Sequence, residues 1–131
     1  MTISIRHAVE TDQPIIVSFV RQAKLNPRNL HWQNFVIAEE DHQVVGIRQI
    51  KTHKQGTCAV ASGFVLPEYR RQSISARLMS ELVDRETGPL YTMVDEKWAL
   101  YYEQFGFWRL EVSQLPTDFL KEYRIGRISP G

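Results

Sequence analysis

Hydrophobic and polar residues alternate at the start of the chain and then change to a helical spacing. Ile3 and Ile5 stand between polar neighbours in residues 2–7, a period of two that predicts a first strand. Thr11 offers a helix N-cap, Asp12 suits a first turn, and Pro14 is tolerated there. Ile15, Ile16, Phe19, Val20 and Ala23 share one face, which predicts a helix over residues 12–24. Asn26-Pro27 breaks that pattern, so residues 25–33 read as a loop. Leu30 and Trp32 are unusual in a solvated connection. Either Trp32 packs on the edge of the core, the simpler reading, or the loop walls a binding site.

Apolar runs then come in quick succession. Phe35 to Ala38 predicts a second strand and Val44 to Ile50 a third, joined through the polar turn Glu39-Glu40-Asp41-His42. Residues 53–56 turn again, and Thr57 to Leu66 predicts a fourth strand, ended by Pro67. Leu78, Met79, Leu82 and Val83 recur at helical spacing, predicting a helix over residues 71–86 stopped by Thr87-Gly88-Pro89. Further expectations are a fifth strand over Leu90 to Val94, a helix over residues 97–105 closed by Gly106, and a sixth strand over Phe107 to Val112. A helical turn over Pro116 to Lys121, a last strand over Tyr123 to Ile128 and a frayed Pro130-Gly131 tail complete the prediction. The order implies an α/β layering on a mixed sheet of six to seven strands flanked by helices, with strands four and five parallel across a helical crossover. No repeat or linker divides the chain, so residues 1–131 are expected to form one domain.

Composition narrows the function. With 43% hydrophobic residues the chain can bury a real core. A net charge of +1 argues against a generic nucleic-acid binder. No stretch reaches the roughly 20 apolar residues of a membrane span, and the first residues lack a signal-peptide core. One cysteine, Cys58, excludes an intrachain disulfide and suits a reducing cytoplasm. In a strand, Cys58 reads as a small hydrophobe rather than a nucleophile. His7, His31, His42 and His53 are scattered without metal-ligand spacing, so no metal site is expected.

Two stretches carry candidate chemistry. Arg70 and Arg71 lie between the fourth strand and the start of the next helix. A helix start has unpaired N–H groups and the positive end of the macrodipole, so the arginines there make an anion site suited to a phosphate. An ordinary capped helix with a solvated basic turn explains the same residues. Residues 98–107, WALYYEQFGF, supply tyrosines within reach of general-acid work, or simply aromatic packing.

Taken together and in order, these stretches resemble the GCN5-related N-acetyltransferase (GNAT) superfamily. IRHAVETD is similar to that family's first strand and helix start, FVLPEYRRQSISARLM to its coenzyme-binding stretch, and LYYEQFGF to its later tyrosine stretch. The resemblance implies a splayed mixed sheet with acetyl-CoA as cosubstrate in the gap between strands four and five. It implies pantetheine pairing with Gly63, Phe64 and Val65, and a pyrophosphate on the turn of Arg70, Arg71, Gln72, Ser73, Ile74, Ser75 and Ala76. It implies Tyr102 as the acid that protonates the leaving thiolate. Ser73 and Ser75 stand where the family's turn carries glycines; a serine at a helix start is not expected to need a positive φ. The strand-four glutamate frequent in the family is replaced by Ala59-Val60-Ala61-Ser62, which leaves Glu39 or Glu40 as base candidates, or an amine that is already neutral. Asp95 replaces a frequent asparagine. The implied activity is acetyl transfer to an amine-bearing small molecule or peptide of unknown identity. The alternative is a non-catalytic coenzyme-binding or protein-interaction module. Oligomeric state stays open, a homodimer included.

Overall fold

The computed structural model describes residues 2–125, with side chains through Lys121. Its centre is a five-stranded sheet in the order β1-β2-β3-β4-β5. The strands are β1 (Ile3–His7), β2 (Phe35–Glu40), β3 (Gln43–Thr52), β4 (Cys58–Val65) and β5 (Leu90–Tyr91). The first four form an antiparallel meander, and β5 joins β4 in parallel, as the crossover requires. The β2–β3 turn holds Asp41 and His42 at φ 48° and 67°. Two successive positive φ values are those of a type I′ hairpin, whose twist matches the strands it joins. This short turn lets β2 run on to Glu40, further than the apolar run alone predicts.

Helices cover both faces. On one, α1 (Gln13–Gln22) sends Ile16, Phe19 and Val20 into a cluster with Phe35, Ile37 and Ile47. On the other, α2 (Ile74–Arg85) packs Ile74, Leu78 and Leu82 against Val36, Ala38, Val45 and Ile50. Alternate residues of β2 thus serve opposite cores, which explains why Phe35 to Ala38 is apolar without a break. Gly46 lets α2 approach closely: a Cβ there would lie 3.3 Å from side-chain carbons of Leu78 and Val65. Trp32 is partly buried against the α1 core, in agreement with the packing reading. The loop before it is held by side-chain amides. Gln13 donates to the Leu30 carbonyl and accepts from the Trp32 N–H at 2.9 Å, and Gln49 donates to the Asn29 carbonyl at 2.9 Å.

Four expectations fail. The first helix begins with a 3₁₀ turn over Glu10–Asp12, so Thr11 lies inside it and caps nothing. Instead the Asp12 carboxylate accepts the Val9 N–H at 2.7 Å and two bonds from Arg6. Strand five is two residues long, paired only with Cys58 and Ala59. No sixth strand forms over Phe107–Val112. The alternation there is real, but a strand needs a ladder partner, and β5 is too short to offer one. Trp108 is left 78% exposed. At the C-terminal end the expected helical turn is present but longer: α4 (Thr117–Ile125) runs on over the start of the expected last strand. Residues 126–128 of that expected strand lie outside the described residues. Five strands, not six to seven, therefore make the described sheet.

Candidate active site

Beyond its two paired residues, β5 leaves β4, and residues 92–94 line space instead of a ladder. The far half of β4 consequently has an open edge. The Leu66 N–H bonds Val45 O at 2.9 Å, toward β3. The next residue back, Val65, therefore directs its own polar groups outward, and Gly63 has the same parity. Arg70 takes part of this edge: its Nε donates to Val65 O at 2.9 Å, and its guanidinium lies over the Phe64 ring at 5.5 Å. Arg70 is thus committed to the strand end as much as to the turn.

The turn after β4 is built on left-handed backbone. Arg71 has φ 64°, and Ser73, the N-cap of α2, has φ 61° and ψ 19°. The expectation that serine needs no positive φ here is wrong at position 73, for a geometric reason. The chain must leave β4, pass over Pro67–Tyr69 in a 3₁₀ turn and enter α2 within a few residues. Left-handed residues supply that reversal. They also turn successive N–H groups toward one side, the concave arrangement that binds anions. The Ser73 side chain makes no capping bond, so it does not occupy the first N–H groups of α2. Ser75 differs from Ser73: it is an ordinary residue of the helix.

A cleft of about 840 Å³ lies against this turn. Val65, Arg70, Arg71, Ser73, Ile74, Ser75 and Ala76 line it from one side, and Asp95, Trp98, Tyr101 and Tyr102 from the other. Gln72 and Phe64 do not line it. Gln72 is exposed, and Phe64 turns into the α1 core against Phe19, with ring centroids 5.1 Å apart. A second cleft of about 420 Å³ lies along β4 from Ala59 to Gly63, facing Thr92, Met93, His53, Lys51 and Phe119. Asn26 and Leu25, from the loop after α1, close one side.

Arg48, Val94 and Tyr102 line both clefts. Tyr102 belongs to the short helix α3 (Ala99–Glu103) and is steadied by edge-on contacts with Tyr101 and Phe107. Arg48 Nη2 donates to its hydroxyl oxygen at 3.1 Å. Guanidinium only donates, so the tyrosine's own proton stays available for another acceptor. Arg48 reaches Tyr102 by crossing β4 at Gly63, its directly opposed partner in the ladder. A Cβ at position 63 would lie 2.7 Å from Arg48 Cδ and 3.0 Å from its Cζ, with Nη1 nearer still. Gly63 is therefore a passage for the arginine. Arg48 Nε is buried without a hydrogen-bond partner.

The base candidates lie elsewhere. Glu39 is ion-paired with Arg6 at 3.1 Å, and Glu40 is buried and accepts the Tyr69 hydroxyl at 3.0 Å, which pushes the Tyr69 pKa up. Neither lines a cleft. Cys58 is half-buried against the α2 core, in keeping with its reading as a small hydrophobe.

The model of the acetyltransferase (GNAT) domain matches residues 31–109, well over half of the chain. The chain belongs to the GNAT family. Among solved structures, the GNAT fold here is similar to N-acetylglutamate synthase from Neisseria gonorrhoeae, complexed with coenzyme A and N-acetyl-glutamate. The TM-score is 0.77 and the identity 22%, over 96% of this chain and 33% of that one. A Mycobacterium tuberculosis protein in complex with CoA gives a TM-score of 0.70 at 19% identity, over 93% of this chain and 81% of that one. A GNAT-family acetyltransferase from Staphylococcus aureus gives 0.64 at 19%, over 90% and 92%. The chain spans about a third of the length of the N-acetylglutamate synthase. No curated protein sequence matches it. The residues matched by the GNAT model run from just before β2 to just after α3, so they include the left-handed turn, Gly63, Arg48 and Tyr102. Sequence reasoning missed Arg48. The available signal was a charged residue inside the strand-like run Val44 to Ile50, whose other residues carry no charge, where an unpaired charge is rarely tolerated.

Proposed function

We propose that this GNAT domain is an acetyl-CoA-dependent N-acetyltransferase that passes the acetyl group directly to an amine. The observation that carries the proposal is the meeting of the two clefts at Tyr102, one beside an anion-binding turn and the other along the open edge of β4. The turn fits a pyrophosphate: Arg71 and Ser73 are left-handed and the first N–H groups of α2 lack a side-chain cap. Gly63 and Val65 fit an extended pantetheine arm by their outward polar groups, and Arg70, Ile74, Ser75 and Ala76 frame its path. When bound, acetyl-CoA supplies an acetyl thioester with a good leaving group.

The chain's own residues do the rest. An outward N–H of β4 polarises the thioester carbonyl, a donor aimed where negative charge grows. The second cleft holds the acceptor so that its nitrogen faces that carbonyl, which replaces a bimolecular encounter by an oriented one. No carboxylate of the described residues lines this cleft, so the amine attacks in its neutral form. Tyr102 gives its proton to the departing sulfur, and the proton that the acylated nitrogen loses restores the Tyr102 hydroxyl. Arg48 holds the Tyr102 oxygen and favours the negative charge left on it as the proton goes.

A coenzyme-binding module without turnover is the second reading, favoured by the Cβ atoms that Ser73 and Ser75 bring to the turn. Thermal melting and thiol release together separate the possibilities. Ligand at 100 times its Kd stabilises the folded state by about 2.7 kcal/mol. Both readings expect a raised midpoint with acetyl-CoA and with CoA. Thiol release across an amine panel marks the enzyme. A shift without release marks the module, and no shift at millimolar ligand defeats both.

A further inference from the structure

Arg48 carries a planar fork of N–H donors and a permanent positive charge. The described protein uses little of either. Nη2 donates to the Tyr102 oxygen at 3.1 Å, Nε is buried with no acceptor, and no carboxylate among the described residues is ion-paired with the group. A half-buried cation without a counter-charge is costly, and a buried donor left unsatisfied adds to that cost. Gly63 weakens β4 as well, because a strand glycine packs no side chain, yet only a bare Cα there lets the arginine pass. These costs fall at one place, the junction of the two clefts, both of which Arg48 lines. An arrangement that destabilises the free protein at such a point is explained by what a ligand brings to it.

The chemistry of a thioester says what that is. Its carbonyl oxygen and its sulfur share one carbon, so the groups that serve the two atoms must be neighbours. Tyr102, the donor to sulfur, lies within a hydrogen bond of Arg48 Nη2. Gly63, on the open edge of β4, has Arg48 Nη1 and Cζ against its bare Cα. The guanidinium thus spans the short distance between the acid and the edge that polarises the carbonyl. We propose that Arg48 is itself a catalytic residue: its guanidinium donates to the thioester carbonyl oxygen, beside the outward N–H of β4, and stabilises the negative charge that grows there. This rests on the N-acetyltransferase reading and gives Arg48 a role that does not pass through Tyr102. Nε is enclosed by protein, so the contact falls to Nη1 and to the second N–H of Nη2. The guanidinium stays protonated throughout, so it moves no proton and Tyr102 remains the acid. Against a growing charge, a donor that is itself charged is roughly twice as strong as a neutral N–H.

The test reads binding as well as rate. Carboxymethyl-CoA places a carboxylate where the charged oxygen develops, and carbamoylmethyl-CoA is its neutral amide. Calorimetry gives the Kd of both in wild type, Arg48→Gln, Gly63→Ala and Tyr102→Phe. A charge-assisted hydrogen bond contributes about ten- to hundredfold, so wild type is expected to favour the carboxylate by that factor. Tyr102→Phe is expected to keep the preference. Arg48→Gln is expected to lose it, and a retained melting shift with CoA shows that this variant is folded. Gly63→Ala, which displaces the guanidinium without removing it, is expected to lose it too and takes the place of Arg48→Gln if that variant does not fold. In thiol release, removal of one such donor lowers kcat by about 10²–10³-fold. Arg48→Gln is expected to cause a loss of that order in wild type and a further one in Tyr102→Phe. A guanidinium that acts only through Tyr102 causes no further loss in the double variant, and that result overturns the inference. Equal affinities for the two analogues in wild type overturn it, as does a preference that Arg48→Gln and Gly63→Ala both retain. If the coenzyme binds but no amine releases thiol, the enzyme reading fails and the analogue preference alone decides this inference. A melting midpoint that neither CoA nor acetyl-CoA shifts defeats both.

Discussion

Two serines that look equivalent in the sequence should respond oppositely to glycine. Ser73 has φ 61°, and Ser75 is a helical residue one position into α2. A left-handed conformation costs an L-residue about 1–2 kcal/mol, which glycine does not incur. Glycine also gains freedom in the unfolded chain, which offsets about 0.4–1 kcal/mol. Ser73→Gly should therefore stabilise the protein by about 0.5–1 kcal/mol, which raises the melting midpoint by about 2–4 °C in a chain of this size. Ser75→Gly removes no strain and adds backbone freedom to a helix, so it should destabilise by about 0.5 kcal/mol. Thermal and urea melts of the two single variants, checked for coincident transitions by two probes, measure both signs. Acetyl-CoA should bind Ser73→Gly as tightly as wild type or more tightly, because glycine keeps the N–H groups of the turn where they are. Equal signs for the two variants, or a destabilised Ser73→Gly, would refute the reasoning that the turn is left-handed at position 73.

Two further outcomes follow from contacts at and near the clefts. Gly63→Ala places a methyl where Arg48 crosses β4 and should displace the guanidinium from Tyr102. A misplacement of this kind lowers kcat by about 100-fold, with little change in acetyl-CoA binding; an unchanged kcat would show that the Arg48–Tyr102 contact has no part in the reaction. Asp118 has its pKa lowered, first by the Thr57 hydroxyl and then by the N–H groups it accepts. A depressed folded pKa contributes stability that is complete above the unfolded value of about 3.9 and is lost as pH falls through the folded value. The midpoint difference between wild type and Asp118→Asn should hold from pH 7 to about 5 and shrink toward pH 3, and a difference independent of pH contradicts the assignment.

The meander, the crossover to a parallel β5 and the position of α2 were legible because their apolar residues have a clear period and the turns between them carry glycine, proline or short polar runs. The failures have definite causes. Phe107 to Val112 alternates like a strand, but alternation describes faces and says nothing of a partner; β5 pairs for two residues only. Ser73 was not readable as left-handed, because serine hides the requirement that glycine would have displayed. Arg48 sat in an apolar run whose periodicity said strand, and its significance depends on Gly63, which is distant in sequence and opposite in the ladder. Glu39 and Glu40 were placed at the right end of β2, but their partners Arg6 and Tyr69 come from β1 and the turn before α2. Pairings of this kind depend on three-dimensional register. By contrast, Tyr102 was marked by the resemblance of LYYEQFGF to the family's tyrosine stretch, and it lies where the two clefts meet.

The central claim is tested most directly by the rate of acetyl-CoA-dependent thiol release in wild type and Tyr102→Phe, with the best acceptor and at a pH where chemistry limits. Loss of a positioned general acid lowers kcat by about 10²–10⁴-fold. The account predicts a loss in that range, with the acetyl-CoA melting shift retained. An unchanged rate in Tyr102→Phe would contradict it.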